Sequence, residues 1–141
     1  MTVKEIEEQI VAEFAAYDEW LDKYAYIIEL GKECPVIDEK DKTESNLIKG
    51  CQSRVWLKAE LRDGRLYFKA DSDAVITKGI ISLLIRVADG QTPQDILASD
   101  LHFIDEIGLK EHLSPTRSNG LTSMVKQMRL YATAAAIGAK Q

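Results

Sequence analysis

Residues 55–73 read VWLKAELRDGRLYFKADSD, two alternating runs joined by Asp63-Gly64. Val55, Leu57, Ala59 and Leu61 alternate with Trp56, Lys58, Glu60 and Arg62, the period-two pattern of a strand with one buried face. Asp-Gly is favoured in two-residue hairpin turns because both central positions need positive φ. With Arg62 set opposite Arg65, Leu61 meets Leu66, Ala59 meets Phe68 and Leu57 meets Ala70. Both apolar sets then fall on one face, as register requires. The spacing predicts an antiparallel hairpin over residues 53–71 with one face that needs a cover.

Helical periodicity on either side supplies that cover. Thr2 and Glu5 have the spacing of a capping box, and Ile6, Ile10 and Phe14 recur every four residues, which predicts a helix over 3–16. Asp18 is placed to cap a second helix, with Trp20, Leu21, Tyr24, Ile27 and Ile28 as its apolar stripe and Gly31 as its stop. Residues 33–45, with Pro35 and the run DEKDKTE, read as a solvated surface loop. Asp71, Ser72 and Asp73 offer N-caps for a helix over 74–88, which is apolar on more than one face and therefore expected to be buried. Thr92-Pro93 starts a short helix, and another is expected over 101–107, before Gly108. The segment HLSPTRSNG (112–120) reads as a turn, with Ser118 capping a final helix whose stripe is Leu121, Met124, Val125, Met128, Ala132 and Ala135. The expected fold is α+β: a single domain over 1–141 with a helical pair (3–31), a small antiparallel hairpin sheet and a helical remainder (74–137) covering it.

A chain of 141 residues, 45% hydrophobic and 29% charged, has the composition of a globular domain with a substantial core. Its net charge of −5 and lack of a basic run exclude nucleic acid as an expected partner. The longest apolar stretch, ITKGIISLLIRVA (76–88), is interrupted by Lys78 and Arg86 and is too short to span a bilayer. MTVKEIEEQIVAEF at the start is acidic and amphipathic, unlike a secretory or transit signal. A cytoplasmic, reducing setting is the expectation. There Cys34 and Cys51, which form no CxxC or zinc-type pattern, are two free thiols.

Cys51 lies in NLIKGCQSRVW (46–56), a polar hinge where loop becomes strand. A thiol reacts as its thiolate, and nearby cations such as Lys49 and Arg54 favour that form. Gly50 permits a sharp turn that exposes a side chain at a loop tip. The residues equally allow a small buried cysteine closing the end of the sheet. Cysteine catalysis at carbonyls needs a base, and only His102 and His112 are available, both in apolar settings that read as structural. Cys34, beside Pro35, has no activating neighbour in sequence.

NLIKGCQSRVWL, the hairpin, DSDAVITKGIISLLI, TPQDIL and GLKEHLSPTRSNGLTSM, in that order, resemble the SufE family over Tyr17 to Met128. The resemblance implies a fold shared with IscU-type iron–sulfur scaffolds. It also implies that the chain accepts sulfur from, and activates, a PLP-dependent cysteine desulfurase of the SufS or CsdA type. Sulfur would be held as a persulfide on Cys51 and relayed to iron–sulfur cluster assembly on a scaffold. The chain would be an accessory protein rather than an enzyme, a monomer or weak homodimer, with no cofactor of its own; the PLP belongs to the desulfurase. Arg117 and, beside Cys51, Gly50, Gln52 and Ser53 are then the expected partner-binding residues, together with Asp73. Trp56 is expected to pack beside the loop. Cys34 departs from the family pattern, which has an apolar residue before this proline. Two other functions fit a chain with two thiols: an iron–sulfur or metal scaffold, which needs about three or four ligands, and a redox sensor pairing Cys51 with Cys34.

Overall fold

The computed structural model describes residues 1–139; Lys140, Gln141 and the side chain of Ala139 lie outside the described residues. The hairpin forms in the expected register. β1 (Val55–Arg62) and β2 (Arg65–Ser72) pair antiparallel, with Arg62 opposite Arg65, Leu61 opposite Leu66, Ala59 opposite Phe68 and Leu57 opposite Ala70. Asp63 and Gly64 take φ of 51° and 79°, the left-handed pair that a type I′ turn requires. Val55, Leu57, Leu66, Phe68 and Ala70 are buried, whereas Leu61 beside the turn remains exposed.

The cover is α3 (Val75–Ala88), which packs on β2 and against α2 (Trp20–Gly31). Ile76, Ile80, Ile81, Leu83, Leu84, Ile85 and Val87 are all buried, each contributing about 1.5–3 kcal/mol of hydrophobic burial. The helices meet glycine to glycine. A Cβ on Gly31 would stand 3.0 Å from the Gly79 nitrogen, and one on Gly79 only 2.1 Å from the Ile27 carbonyl oxygen. Gly31 is thus the last residue of α2, kept small by its neighbour, and the C-cap is Lys32 in an ordinary helical conformation. Two other expectations for α2 fail. Asp18 does not cap it, since Glu19 precedes the helix and makes no side-chain cap bond. Leu21 is 80% exposed, because the buried stripe is carried by Ile27 with Trp20, Tyr24 and Ile28 half-covered.

α1 (Val3–Phe14) opens with the capping box: Thr2 Oγ1 accepts from the Glu5 amide at 3.1 Å and Glu5 Oε1 accepts from the Thr2 amide at 3.0 Å. Ile10 and Phe14 are buried. The polar run after α2 is strapped to the sheet rather than solvated throughout. Pro35 and Ile37 bracket Ala70, whose amide donates to the Pro35 carbonyl at 2.9 Å while its carbonyl accepts from the Ile37 amide at 3.1 Å. Lys42 pairs with Asp71 at 2.8 Å and Lys58 with Asp41 at 3.2 Å. Farther along β2, Leu66 exchanges backbone bonds with Gly90 and Gln91, and the Phe68 amide donates to the Asp89 carboxylate. These contacts cover an edge that would otherwise invite pairing with another chain.

The remaining helices are α4 (Pro93–Ala98), α5 (Phe103–Glu106), α6 (Leu109–His112) and α7 (Pro115–Ala139). Thr92 caps α4 through the Asp95 amide, with Pro93 at the first position, as expected. The turn expected at 112–120 is mostly helix. Ser114 accepts the Arg117 amide on its hydroxyl at 3.3 Å and the Ser118 amide on its carbonyl at 2.9 Å. Pro115 therefore takes the first helical position, and Ser118, Asn119 and Gly120 lie inside α7 rather than capping it. Leu121, Met124, Met128 and Ala132 form its buried stripe. Asp71 and Asp73 do not cap α3 either: its N-cap is Ala74 without a side-chain cap bond.

Candidate functional site

Cys51 sits on a short loop closed at its base by β-type pairing. The Ile48 amide donates to the Val55 carbonyl at 2.8 Å, and Leu47 bridges Trp56. A short arm before the loop thus lines up on the outer edge of β1, a pairing the sequence reading missed. Asp73 ties down the other side, its Oδ1 accepting from the Arg54 amide at 3.1 Å and its own amide donating to the Arg54 carbonyl at 3.3 Å. Asp73 is therefore a loop anchor. Trp56 lies beside the stem as expected, with the Lys42 ammonium 5.4 Å from its ring centre.

The tip of the loop rests on the first turns of α7. Gly50 takes φ of +91°, a conformation that favours glycine, and a Cβ there would come 2.5 Å from the rotatable Ser123 hydroxyl. The half-buried Cys51 thiol donates to the Gly120 carbonyl at 3.6 Å. A Cβ on Gly120 would stand 3.5 Å from the sulfur, ordinary contact distance. Burial raises the Cys51 pKa above its ordinary value. The expected help from Lys49 and Arg54 does not materialise; in this packed state the sulfur is held as a thiol. Gln52 is exposed and Ser53 half-buried.

Arg117 projects from the first turn of α7, one turn before Gly120 and on the same side of the helix. Its guanidinium donates to the Tyr24 hydroxyl at 3.0 Å and lies 5.9 Å from that ring's centre. It is exposed. The fold thus brings Cys51, Gly50 and Arg117 to one end of α7, while Asp73 acts at the base of the loop.

A Gly50→Ala substitution is expected to cost about 1–2 kcal/mol through the positive φ, a strain relieved when the tip lifts from α7. Native-state iodoacetamide labelling should then modify Cys51 faster than in the wild type. An unchanged labelling rate would mean that packing on α7 does not shield the thiol.

The other candidates are engaged elsewhere. Cys34 is buried, its thiol directed at the Pro35 and Ala70 carbonyls at 3.7 and 3.8 Å. Burial pushes its pKa up to about 11, from an ordinary value of 9.0. The unfolded chain therefore loses this proton first, so the associated stability is intact below about pH 9 and is lost as pH rises to about 11. Urea unfolding of the wild type should weaken over that interval by about 2–3 kcal/mol more than that of Cys34→Ala. Equal alkaline slopes would contradict it. His112 stacks on Trp20 with ring centres 4.5 Å apart and pairs with the Gly108 carbonyl. His102 pairs with Glu106 and Glu7.

Among the described residues, the one grouping of three potential metal ligands is Glu7, Asp100 and His102, which includes no cysteine. It lines the largest cavity, of about 650 Å³, which does not include Cys51. The cavity and the reactive-thiol candidate are separate places. The thiol lies on a loop rather than in a deep pocket, an arrangement suited to a reactant delivered by another macromolecule. Among the described residues, no helix is long and apolar enough to cross a membrane.

The model of the SufE family, described as an Fe-S metabolism associated domain, matches residues 8–132. An uncharacterized SufE-like protein of Rhizobium meliloti (strain 1021) is 39% identical over 127 residues, spanning 86% of this chain and 91% of the relative. The solution structure of a hypothetical protein from Thermus thermophilus superposes with a TM-score of 0.77, covering 94% of this chain and 96% of that one at 19% identity, which supports the α+β fold. On the family match over nearly its whole length, and on the relative's identity, the chain belongs to the SufE family, with a role in Fe–S metabolism.

Proposed function

We propose that the protein accepts sulfur from a PLP-dependent cysteine desulfurase on Cys51, stimulates that enzyme, and passes the sulfur to iron–sulfur cluster assembly. The observation that supports this most is the placement of Cys51 on a glycine-hinged loop, resting on Gly120 and outside the largest cavity. A thiol so placed suits exchange with another protein's sulfur better than turnover of a small molecule. The transfer is thiolate attack on the outer sulfur of the desulfurase persulfide: Cys51–S⁻ + Enz–S–SH → Cys51–S–SH + Enz–S⁻. One S–S bond forms and one breaks, with no net redox change, as in thiol–disulfide exchange.

The raised Cys51 pKa fits a resting state in which the thiol is protected against adventitious oxidation. Transfer then requires the tip to leave Gly120 on docking, where Gly50 provides the freedom. Arg117, exposed in the first turn of α7, would engage an acidic group of the desulfurase, and Gln52 and Ser53 would follow the loop into the interface. The protein brings no cofactor of its own; PLP chemistry stays with the desulfurase. The test is the initial rate of sulfide release from cysteine by a purified desulfurase with and without this protein. Stimulation that saturates with added protein is expected, and an unchanged rate would contradict the reading.

A further inference from the structure

Far from Cys51 in the chain, α1 buries a carboxylate. Glu7 is 2% exposed, and its Oε2 accepts from the Phe103 amide at 3.1 Å. Its Oε1 has only a long contact, 3.4 Å, with the Ser99 hydroxyl. Facing it is the His102 imidazole, with Nε2 3.6 Å from Oε2, beyond hydrogen-bonding distance. The other ring nitrogen, Nδ1, is 2.7 Å from Glu106 Oε1. With a hydrogen on Nδ1 serving that contact, a metal ion displacing the proton on Nε2 would find its lone pair directed toward Glu7, the orientation seen in metal-binding histidines. Asp100 completes the group, its Oδ1 oriented by the His102 amide at 3.1 Å.

We propose that Glu7, Asp100 and His102 bind one divalent transition-metal ion of the zinc class, clasping α1 to the segment before α5. The ligand atoms of the three residues lie within 4.8 Å of one another. Ligands at about 2.1 Å from a tetrahedral ion stand about 3.4 Å apart, close to the 3.6 Å between Glu7 and His102. One imidazole and two carboxylates form a donor set that suits zinc, iron, cobalt or nickel better than magnesium or calcium. The group opens onto the cavity of about 650 Å³, which leaves room for water at a fourth position. The site uses no cysteine and is independent of sulfur transfer.

Titration of the full-length protein with ZnCl2, followed by calorimetry, and with CoCl2, followed by visible absorption, tests this. The expected result is one saturable site, with cobalt d–d bands and no thiolate-to-cobalt charge transfer, and a Tm that rises on adding zinc. His102→Asn and Asp100→Asn should each abolish the saturable uptake and the Tm rise. Glu106→Gln, acting through the imidazole, should weaken binding by about 10–100-fold. These side chains are at least partly exposed, so the variants should fold even where Glu7→Gln does not. No saturable uptake under metal excess, uptake unchanged in both His102→Asn and Asp100→Asn, or a thiolate spectrum that disappears in Cys51→Ser would overturn the proposal.

Discussion

A Cys51→Ser protein is expected to fold as the wild type does and to take up no sulfur at all. The substitution replaces one atom, sulfur by oxygen, at a half-buried tip. The stability change should stay within about 1 kcal/mol, typical of a substitution that leaves no cavity and no unpaired group. The chemical effect is all-or-none. A hydroxyl is not ionised near neutral pH and does not form a stable persulfide analogue, so neither the nucleophile nor the carrier atom remains. Desulfurase stimulation should fall to the level of the desulfurase alone. Matched urea unfolding of the two proteins separates loss of chemistry from loss of fold, and a Cys51→Ser protein that still stimulates fully would show that sulfur passes elsewhere.

The largest expected stability effect lies at Gly79, in the middle of α3. By helix propensity alone, glycine to alanine should stabilise by about 1 kcal/mol. Here the new methyl would sit 2.1 Å from the Ile27 carbonyl oxygen and 2.7 Å from its carbon, and backbone cannot rotate aside as a side-chain tip can. The two helices must move apart, opening the packing around Ile27, Ile80 and Ile81, all buried. Gly79→Ala is therefore expected to destabilise by about 3 kcal/mol or more, the upper end for overpacking, lowering Tm by on the order of 10 °C. Gly138→Ala is the control: a Cβ there meets nothing within 4 Å, so its effect should be neutral or slightly stabilising. A Gly79→Ala Tm equal to the wild type would mean that α2 and α3 do not approach as closely as described.

The hairpin was legible because register follows from a period-two pattern and a two-residue turn, both local in sequence. α1 was legible for the same reason, since its capping box closes within four residues. What failed depended on distant neighbours. Gly31 resembles a helix stop in sequence, and only the position of Gly79 across the helix pair shows why it must be small. Asp73 has the spacing of a cap, yet Arg54, nineteen residues earlier, claims its carboxylate. Asn119-Gly120 has the composition of a turn, but Ser114-Pro115 starts the helix upstream and carries both residues inside α7.

The candidate site divides in the same way. Cys51 and Gly50 stand out as candidates from local chemistry, and the sulfur-accepting role and Arg117 come from the resemblance. The expected influence of Lys49 and Arg54 rested on sequence proximity, which says little about where charges point, and the sulfur's surroundings are instead dominated by α7. The Glu7–His102 pairing had no sequence signal beyond a charged residue on an amphipathic helix, because its partners lie more than ninety residues apart. DEKDKTE reads as solvated until Asp71 and Lys58 provide its counter-charges.

The most direct test is the mass of the protein after incubation with a PLP-dependent desulfurase and cysteine, taken intact and as tryptic peptides without reductant. One added sulfur on the peptide containing Cys51, removed by dithiothreitol and absent in Cys51→Ser, is the predicted result. An unmodified Cys51 peptide in the presence of an active desulfurase, or sulfur found on Cys34 instead, would contradict the account.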